Sequence, residues 1–244
     1  MSKILVIGDS CTDIFIYGDI QRISPEAPVP VFNPLNSVEN GGMAKNVFNN
    51  LKVLGADANI ITNSNDIKKI RYVDTRSNQM CLRVDEHDYC NKIDDADLVQ
   101  LHRYDAIIVS DYCKGFLSEE DIKFICNNYK NVFIDTKKML GDWAQNAKII
   151  KINSLEYKKN YDIMPNFPQL EDKLIVTLGK NGCKYKGKLF STKEVPVKDV
   201  SGAGDTFLAA LVVEYLKTND IKKSIQFAQK CTTIVVQKHG VATI

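Results

Sequence analysis

The sequence contains no CxxC pair and no zinc-type spacing of cysteine with histidine, which excludes the common metal-ribbon and dithiol classes. Its seven cysteines, at 11, 81, 90, 113, 126, 183 and 231, are odd in number and read as reduced, mostly buried thiols of a cytoplasmic protein. An excess of charge of one sign is also lacking. The 32 Lys+Arg against 30 Asp+Glu leave a formal net charge of +2, so neither nucleic acid nor membrane is called for as a partner. The lysine doublets at 68–69, 137–138, 158–159 and 222–223 read as solvated faces. No apolar run reaches membrane-spanning length, and MSKILVIGDS enters a strand without a signal-peptide core. The first strand is followed by GDSCTD and not by GxGxxG, so the phosphate loop of a dinucleotide-dependent oxidoreductase is missing. Internal repeats and low-complexity linkers are absent too.

What is present is an ordinary globular composition, 44% hydrophobic and 25% charged, long enough for one large α/β domain. Apolar runs of strand length, at 3–9, 58–62, 105–112, 131–135, 147–153 and 173–179, alternate with helical patterns. One helix carries Val47, Leu51 and Leu54 and ends at Gly55; another starts at Ser118, with Asp121 completing a capping box. This rhythm predicts a parallel sheet covered on both faces, with ligands at the carboxyl ends of its strands. Two stretches break it. FIYGDIQRISPEAPVPVFN (15–33) and KKIRYVDTRSNQMCLRVDEHD (68–88) read as extended strands, and Pro25, Pro28 and Pro30 exclude a helix from the first. They predict a small accessory sheet, a lid of about 14–34 and 68–88, on a single domain spanning 1–244.

Candidate chemistry lies at the ends of these elements. In DVSGAGDTF (199–207), Gly202, Ala203 and Gly204 precede Asp205, and the apolar run Phe207–Val213 follows. A helix N-terminus there offers free N–H groups to an anion, and the acid beside it suits phosphoryl transfer. A structural turn with a capping acid fits the same residues. Asp9 and Asp13 follow the first strand, as polyol acceptors or as turn acids. Gly41-Gly42 open a helix whose first turn carries Asn46, a pair that hints at backbone contact with a ligand. Asn153 and Glu156 suit the water shell of Mg²⁺, although taken alone they read better as a helix-capping Asn with a surface acid. Thr177, Gly179 and Gly182 fit a nucleotide loop or a plain turn into the hairpin CKYKGKLF, bent at Lys186-Gly187 or Gly187-Lys188.

Taken in order, GD…D, GG…N, NxxE, TxGxxG and DxxGAGD resemble the ribokinase/pfkB family of carbohydrate kinases. YGDIQRISPEAPVPVF, KIRYVDTRSNQMCLRVDE and SDYCKG are similar to the D-glycero-β-D-manno-heptose-7-phosphate kinase branch, including forms fused to an adenylyltransferase. The likeness runs from residue 3 to 243 and implies a three-layer α/β, ribokinase-like Rossmann-type body with a mainly parallel sheet and a small β-lid. It also implies Asp205 as the base, with Gly202, Ala203 and Gly204 as the anion hole. Asp13, Gly41, Gly42 and Asn46 would bind sugar hydroxyls, with Asn153 and Glu156 serving the Mg²⁺–phosphate region. Thr177, Gly179, Gly182, His239 and Gly240 would border ATP, and Asp199 and Ser201 match a K⁺ position of some relatives. A phosphorylated sugar needs cations of its own; Arg22, Arg71, Arg76, Arg83 and Lys114 are candidates, Arg83 and Lys114 foremost. A homodimer through the lid belongs to the same expectation.

Departures from the family pattern are specific. Val200 replaces the usual Thr of DTxGAGD, and Gln229 stands where relatives often carry Asn. IITNSND (60–66) runs almost directly into KKIRY (68–72), where relatives insert a helix and a strand. The stretch 153–173 is trimmed, and the chain stops at Ile244, before a final helix would begin. No HxGH nucleotidyltransferase motif occurs among His87, His102 and His239. Besides the heptose-phosphate kinase, two readings stay open: another sugar kinase on this scaffold, and a reduced, non-catalytic member that binds nucleotide or sugar phosphate.

Overall fold

Strict alternation along the central strands sorts their side chains into two cores. The computed structural model describes residues 2–99, 101–238 and 240–244; the expectation for His239 lies outside them. The strands are β1 (Lys3–Gly8), β2 (Ser10–Ile23), β3 (Pro30–Met43), β4 (Asp57–Thr62), β5 (Lys68–Asp74), β6 (Gln79–Glu86), β7 (Ala106–Asp111), β8 (Val132–Thr136), β9 (Ile149–Asn153), β10 (Leu174–Thr177), β11 (Cys183–Tyr185) and β12 (Lys188–Phe190). The α-helices are α1 (Ala44–Val53), α2 (Asp95–Val99), α3 (Glu119–Asn128), α4 (Ser154–Asn160), α5 (Pro168–Glu171), α6 (Ala203–Thr218) and α7 (Ile221–Val235). The body is an eight-stranded sheet ordered β12-β11-β10-β9-β8-β7-β1-β4, parallel from β10 to β4. Leu5, Ile7, Ile107, Val109, Ile134 and Ile150 face the core that includes α3. Ile4, Val6, Ala106, Ile108, Phe133 and Ile149 face the core of α1, α6 and α7. Removing one such side chain, Leu or Ile to Ala, typically costs about 2–5 kcal/mol.

The lid is a four-stranded sheet, β3-β2-β5-β6. It is longer than its sequence boundaries suggested, because β2 starts at Ser10 and β3 continues to Met43. The glycine pair therefore closes a strand and does not itself begin the helix. Gly42 pairs with Cys11 in extended backbone, and a Cβ on it would come within 2.0 Å of Asp13 Oδ2. The chain turns into α1 at Met43 (φ 60°), and Ala44 N–H donates to the Asp9 carbonyl at 2.9 Å. Pro34 sits on the edge strand β3, where a missing donor is tolerated. One lid face, with Asp13, Phe15, Lys69 and Arg71, looks onto the body. The alternate positions Ile14, Ile16, Ile70, Tyr72, Leu82 and Val84 turn away from it.

The short link after β4 leaves that strand at the sheet edge. The capping box of Ser118 with Asp121 forms as read, and Lys186-Gly187 makes the β11–β12 bend. All seven cysteines are free. Among the described residues no helix is long and apolar enough to cross a membrane.

Candidate active site

The first turn of α6 is built by glycine. Gly202 caps the helix in the left-handed region (φ 76°), and a Cβ there would fall 2.4 Å from Asn46 Nδ2. The N–H groups of Gly204 and Asp205 find no backbone acceptor among the described residues, so the positive end of the helix is open to an anion. Behind it, Phe207 to Val213 are all buried, which holds this end in place.

The same turn separates two cavities. A cleft of about 390 Å³ is lined by Thr177, Gly179, Gly182, Val197, Ala203, Gly204, Phe207 and Gln229. A second cavity, of about 300 Å³, lies between lid and body and is lined by Asp13, Lys69, Arg71, Arg83, Tyr112, Lys114, Lys137, Ser201, Gly202 and Asp205. Gly204 thus walls one cavity and Asp205, the next residue, walls the other.

Asp205 is only 3% exposed. Its Oδ1 accepts a 2.6 Å hydrogen bond from the Tyr112 hydroxyl, and its Oδ2 a 2.9 Å bond from Asn46 Nδ2. Asn46 is held in turn by Asn50, which accepts from Thr206. Burial pushes the Asp205 carboxyl up to about 6, against the pull of the Tyr112 and Asn46 hydrogen bonds; Asp135 adds to the rise and Lys151 opposes it. Lys151 is buried beside Gly204 and pairs with Asp135 at 2.6 Å. Burial alone would pull this lysine down, yet Asp135 prevails and raises it. Tyr112 is raised well above 10, by burial first and then by Asp205.

Most cations of the lid-side cavity are already paired: Arg71 with Asp13 at 2.5 Å, Arg83 with Asp85 through two hydrogen bonds, Lys114 with Asp88, and Lys137 with Glu156 at 2.7 Å. Lys69 differs. It is 8% exposed, forms no ion pair among the described residues, and contacts Met43 Sδ and the face of the Tyr112 ring. A buried ammonium without a carboxylate calls for an anion.

The remaining sequence-derived residues divide clearly. Thr177, Gly179 and Gly182 line the larger cleft. Asn46 is buried, with its amide spent on Asp205 and on the Gly202 carbonyl. Asn153 caps α4 in a capping box with Glu156, whose carboxylate is buried, contrary to a surface acid. Asp199 accepts from the N–H groups of Ser201 and Gly240, and Gly240 lies in a third cavity against Phe15 and Tyr17. Asp9 accepts from Tyr112 N–H and Phe116 N–H and is fully buried, a staple of the loop that follows β7. Burial and Asp111 raise its carboxyl. Arg22 and Arg76 do not line the lid-side cavity. Sequence reasoning missed Lys69, Lys137, Lys151 and Tyr112. A lysine inside the apolar strand IIKIN was the available signal for Lys151; Tyr112 sat unremarked within SDYCKG.

This fold has counterparts among solved structures of the ribokinase family. A nucleoside kinase of the ribokinase family from Methanocaldococcus jannaschii superposes with a TM-score of 0.72 at 17% identity, over 99% of this chain and 93% of that one. Arabidopsis thaliana ribokinase, solved with ribose and ATP, gives 0.68 at 14%, over 98% and 94%. Residues 73–244 match the pfkB family of carbohydrate kinases, and the chain belongs to that family. The bifunctional protein HldE of Helicobacter acinonychis is 29% identical over 297 aligned positions, covering 99% of this chain; the chain spans 64% of that relative's length.

Proposed function

We propose that this chain is an ATP-dependent sugar-phosphate kinase, with D-glycero-β-D-manno-heptose 7-phosphate as acceptor and the 1,7-bisphosphate as product. The observation that carries the reading is the placement of Gly204 in one cavity wall and Asp205 in the other. ATP would lie in the larger cleft along Thr177, Gly179 and Gly182; Gly240, an ATP contact by the resemblance, lines the third cavity instead. The sugar would lie under the lid, its hydroxyls on Asp13 and the Gly41–Gly42 backbone and its own phosphate among Lys69, Arg71, Arg83 and Lys114. The acceptor hydroxyl donates to Asp205 and attacks the γ-phosphorus in line. The bond from that phosphorus to the bridging oxygen of ADP breaks, and Asp205 takes the hydroxyl proton late. The open N–H groups at the start of α6, those of Gly204 and Asp205, would meet the charge that develops on the transferred group. Of the expected Gly202–Gly204 anion hole, the Ala203 N–H is already spent on the Val200 carbonyl at 3.2 Å, and Lys151 adds a fixed cation beside the turn.

Among the described residues no cluster of three metal-ligating side chains exists. By the resemblance, Asn153 and Glu156 would meet Mg²⁺ held mainly by nucleotide phosphates and water, where the ion would neutralise phosphate charge; Glu156 is paired here with Lys137. A K⁺ ion at Asp199 and Ser201 completes the expectation.

A coupled ADP-release assay over heptose, hexose and pentose phosphates, with Mg²⁺ and with or without K⁺, tests the whole reading. Turnover confined to a different sugar would replace the heptose. Ligand binding without any turnover would favour the non-catalytic alternative. Within the same assay, Lys69→Met is expected to raise KM for the sugar phosphate about 10- to 100-fold while KM for ATP stays put, the loss of one charge-assisted contact. An equal change in both constants would sink the assignment of Lys69.

The outward lid face, with Ile14, Ile16, Ile70, Tyr72, Leu82 and Val84, supports a homodimer through the lid. Sedimentation equilibrium should give a dimer that Leu82→Glu dissociates; a monomeric wild type at micromolar concentration defeats this.

A further inference from the structure

Tyr112 follows β7 directly, and its backbone is pinned before its side chain does anything. Its N–H donates to Asp9 Oδ2 at 2.6 Å, and the preceding Asp111 accepts from Thr136 Oγ1 at 2.6 Å and from Lys138. Two buried carboxylates thus fix the loop from which the ring projects. Lys137 Nζ lies 4.8 Å and Lys69 Nζ 5.4 Å from the ring centroid, so the ring is held by cations. Among the described residues the hydroxyl has one partner, Asp205 Oδ1 at 2.6 Å.

Asn46 alone would leave the Asp205 carboxylate free to turn about its Cβ–Cγ bond. A second donor on the other oxygen removes that freedom, and each oxygen still keeps a lone pair for another donor. We propose that Tyr112 is a positioning residue for phosphoryl transfer, its hydroxyl clamping the Asp205 carboxylate against Asn46 so that Oδ1 stays presented to the acceptor hydroxyl. The inference rests on the reading of Asp205 as the base.

The clamp also acts on charge, because hydrogen bonds to a carboxylate favour its ionised form. The other groups bearing on Asp205 include Asp135 on β8, Lys151 on β9 and Cys11 on β2, and its cavity is also lined by Asp13 on β2, Lys69 and Arg71 on β5, Arg83 on β6, Lys114 after β7 and Lys137 after β8. None of them is altered when the phenol oxygen is removed. Burial opposes ionisation of Asp205, so losing a donor lets that effect grow.

The test is Tyr112→Phe, which keeps the ring. Two readouts are compared with wild type: the titration midpoint of Asp205, by ¹³C NMR of labelled aspartate carboxyls assigned through Asp205→Asn, and the acidic limb of kcat/KM against pH. Both should move upward by about one to two pH units. Replacing Tyr112 by 3-fluorotyrosine, a stronger donor of nearly the same size, should move both downward and does not depend on the phenylalanine variant folding. An unmoved midpoint overturns the clamp. A midpoint that moves while the limb does not overturns its part in transfer. The midpoint is read without turnover, so a wild type inactive on every sugar phosphate would count against the kinase reading and the positioning role, while the titration still decides whether Tyr112 governs Asp205.

Discussion

Asp205→Asn is expected to lower kcat by about 10³-fold, within the range that a positioned general base contributes, and at the same time to stabilise the folded chain at neutral pH. The second effect follows from linkage. The carboxyl titrates at about 6 when folded, against an ordinary value of 3.8. Between those values the folded chain holds a proton that the unfolded chain has lost. Stability therefore falls as pH rises through that window, and above about 6 the full cost of roughly 3 kcal/mol remains. Asparagine carries no charge at any pH and escapes this cost, less the hydrogen-bond strength lost at Tyr112 or Asn46. Urea unfolding at about pH 8 should show the variant more stable by up to about 3 kcal/mol, and at about pH 4 no more stable than wild type. Unchanged ADP release in the variant would defeat the assignment of the base; a gain of equal size at both pH values would defeat the account of its ionisation. The wild type should lose kcat/KM below about pH 6, as the base becomes protonated.

Lys151→Met is expected to cost more stability than any other single substitution in the site. Lys151 and Asp135 are both nearly inaccessible and meet at 2.6 Å. Removing the lysine strands a buried carboxylate, at a cost of about 3–5 kcal/mol. Removing both charges, in Lys151→Met with Asp135→Leu, should recover most of that stability, because apolar replacements for a buried pair are often neutral. Activity should not return with it. The lysine lies against Gly204, where a Cβ would come within 2.7 Å of Nζ, and on the proposed reading it faces the transferred phosphate. Urea denaturation and turnover of both variants separate the two roles. Full turnover in the double variant would show that the pair serves only the fold.

Much of the architecture was legible because local patterns carried it. The apolar runs of β1, β7, β8 and β9 announced a buried parallel sheet, and the prolines between 25 and 30 kept a helix out of the lid. Gly202 and Gly204 were readable as a glycine turn set before a carboxylate and an apolar helical run; the structure adds the reason at Gly202, a left-handed φ of 76° with Asn46 pressed against it. What could not be read was long-range. Tyr112 reaches Asp205 across 93 positions, and Asn46 across 159, so neither spacing leaves a local trace. Lysine doublets were read as solvated faces, yet Lys69 and Lys137 border the lid-side cavity: the doublet 68–69 lies on β5 and must send one member to each side, while 137–138 follows β8 in a loop that turns toward the cavity. Asn153 and Glu156 show the reverse limit: a capping box satisfies both side chains locally, so that only the family pattern, not these four residues, suggests a Mg²⁺ site there.

The lid enters the fold between Gly8 and Ala44 and again after Thr62, and where it leaves β1 and joins α1 the two chain crossings are tied by the Ala44–Asp9 hydrogen bond. Asp13, Lys69, Arg71 and Arg83 all stand on its strands, whereas Asp205, Lys151 and the glycine turn stand on the body. On the proposed reading, recognition is written mainly on the lid strands, with Lys114 added from the body loop after β7, and transfer on the body alone. A change of acceptor would then call for exchanging lid strands and that one loop, with the transfer machinery kept.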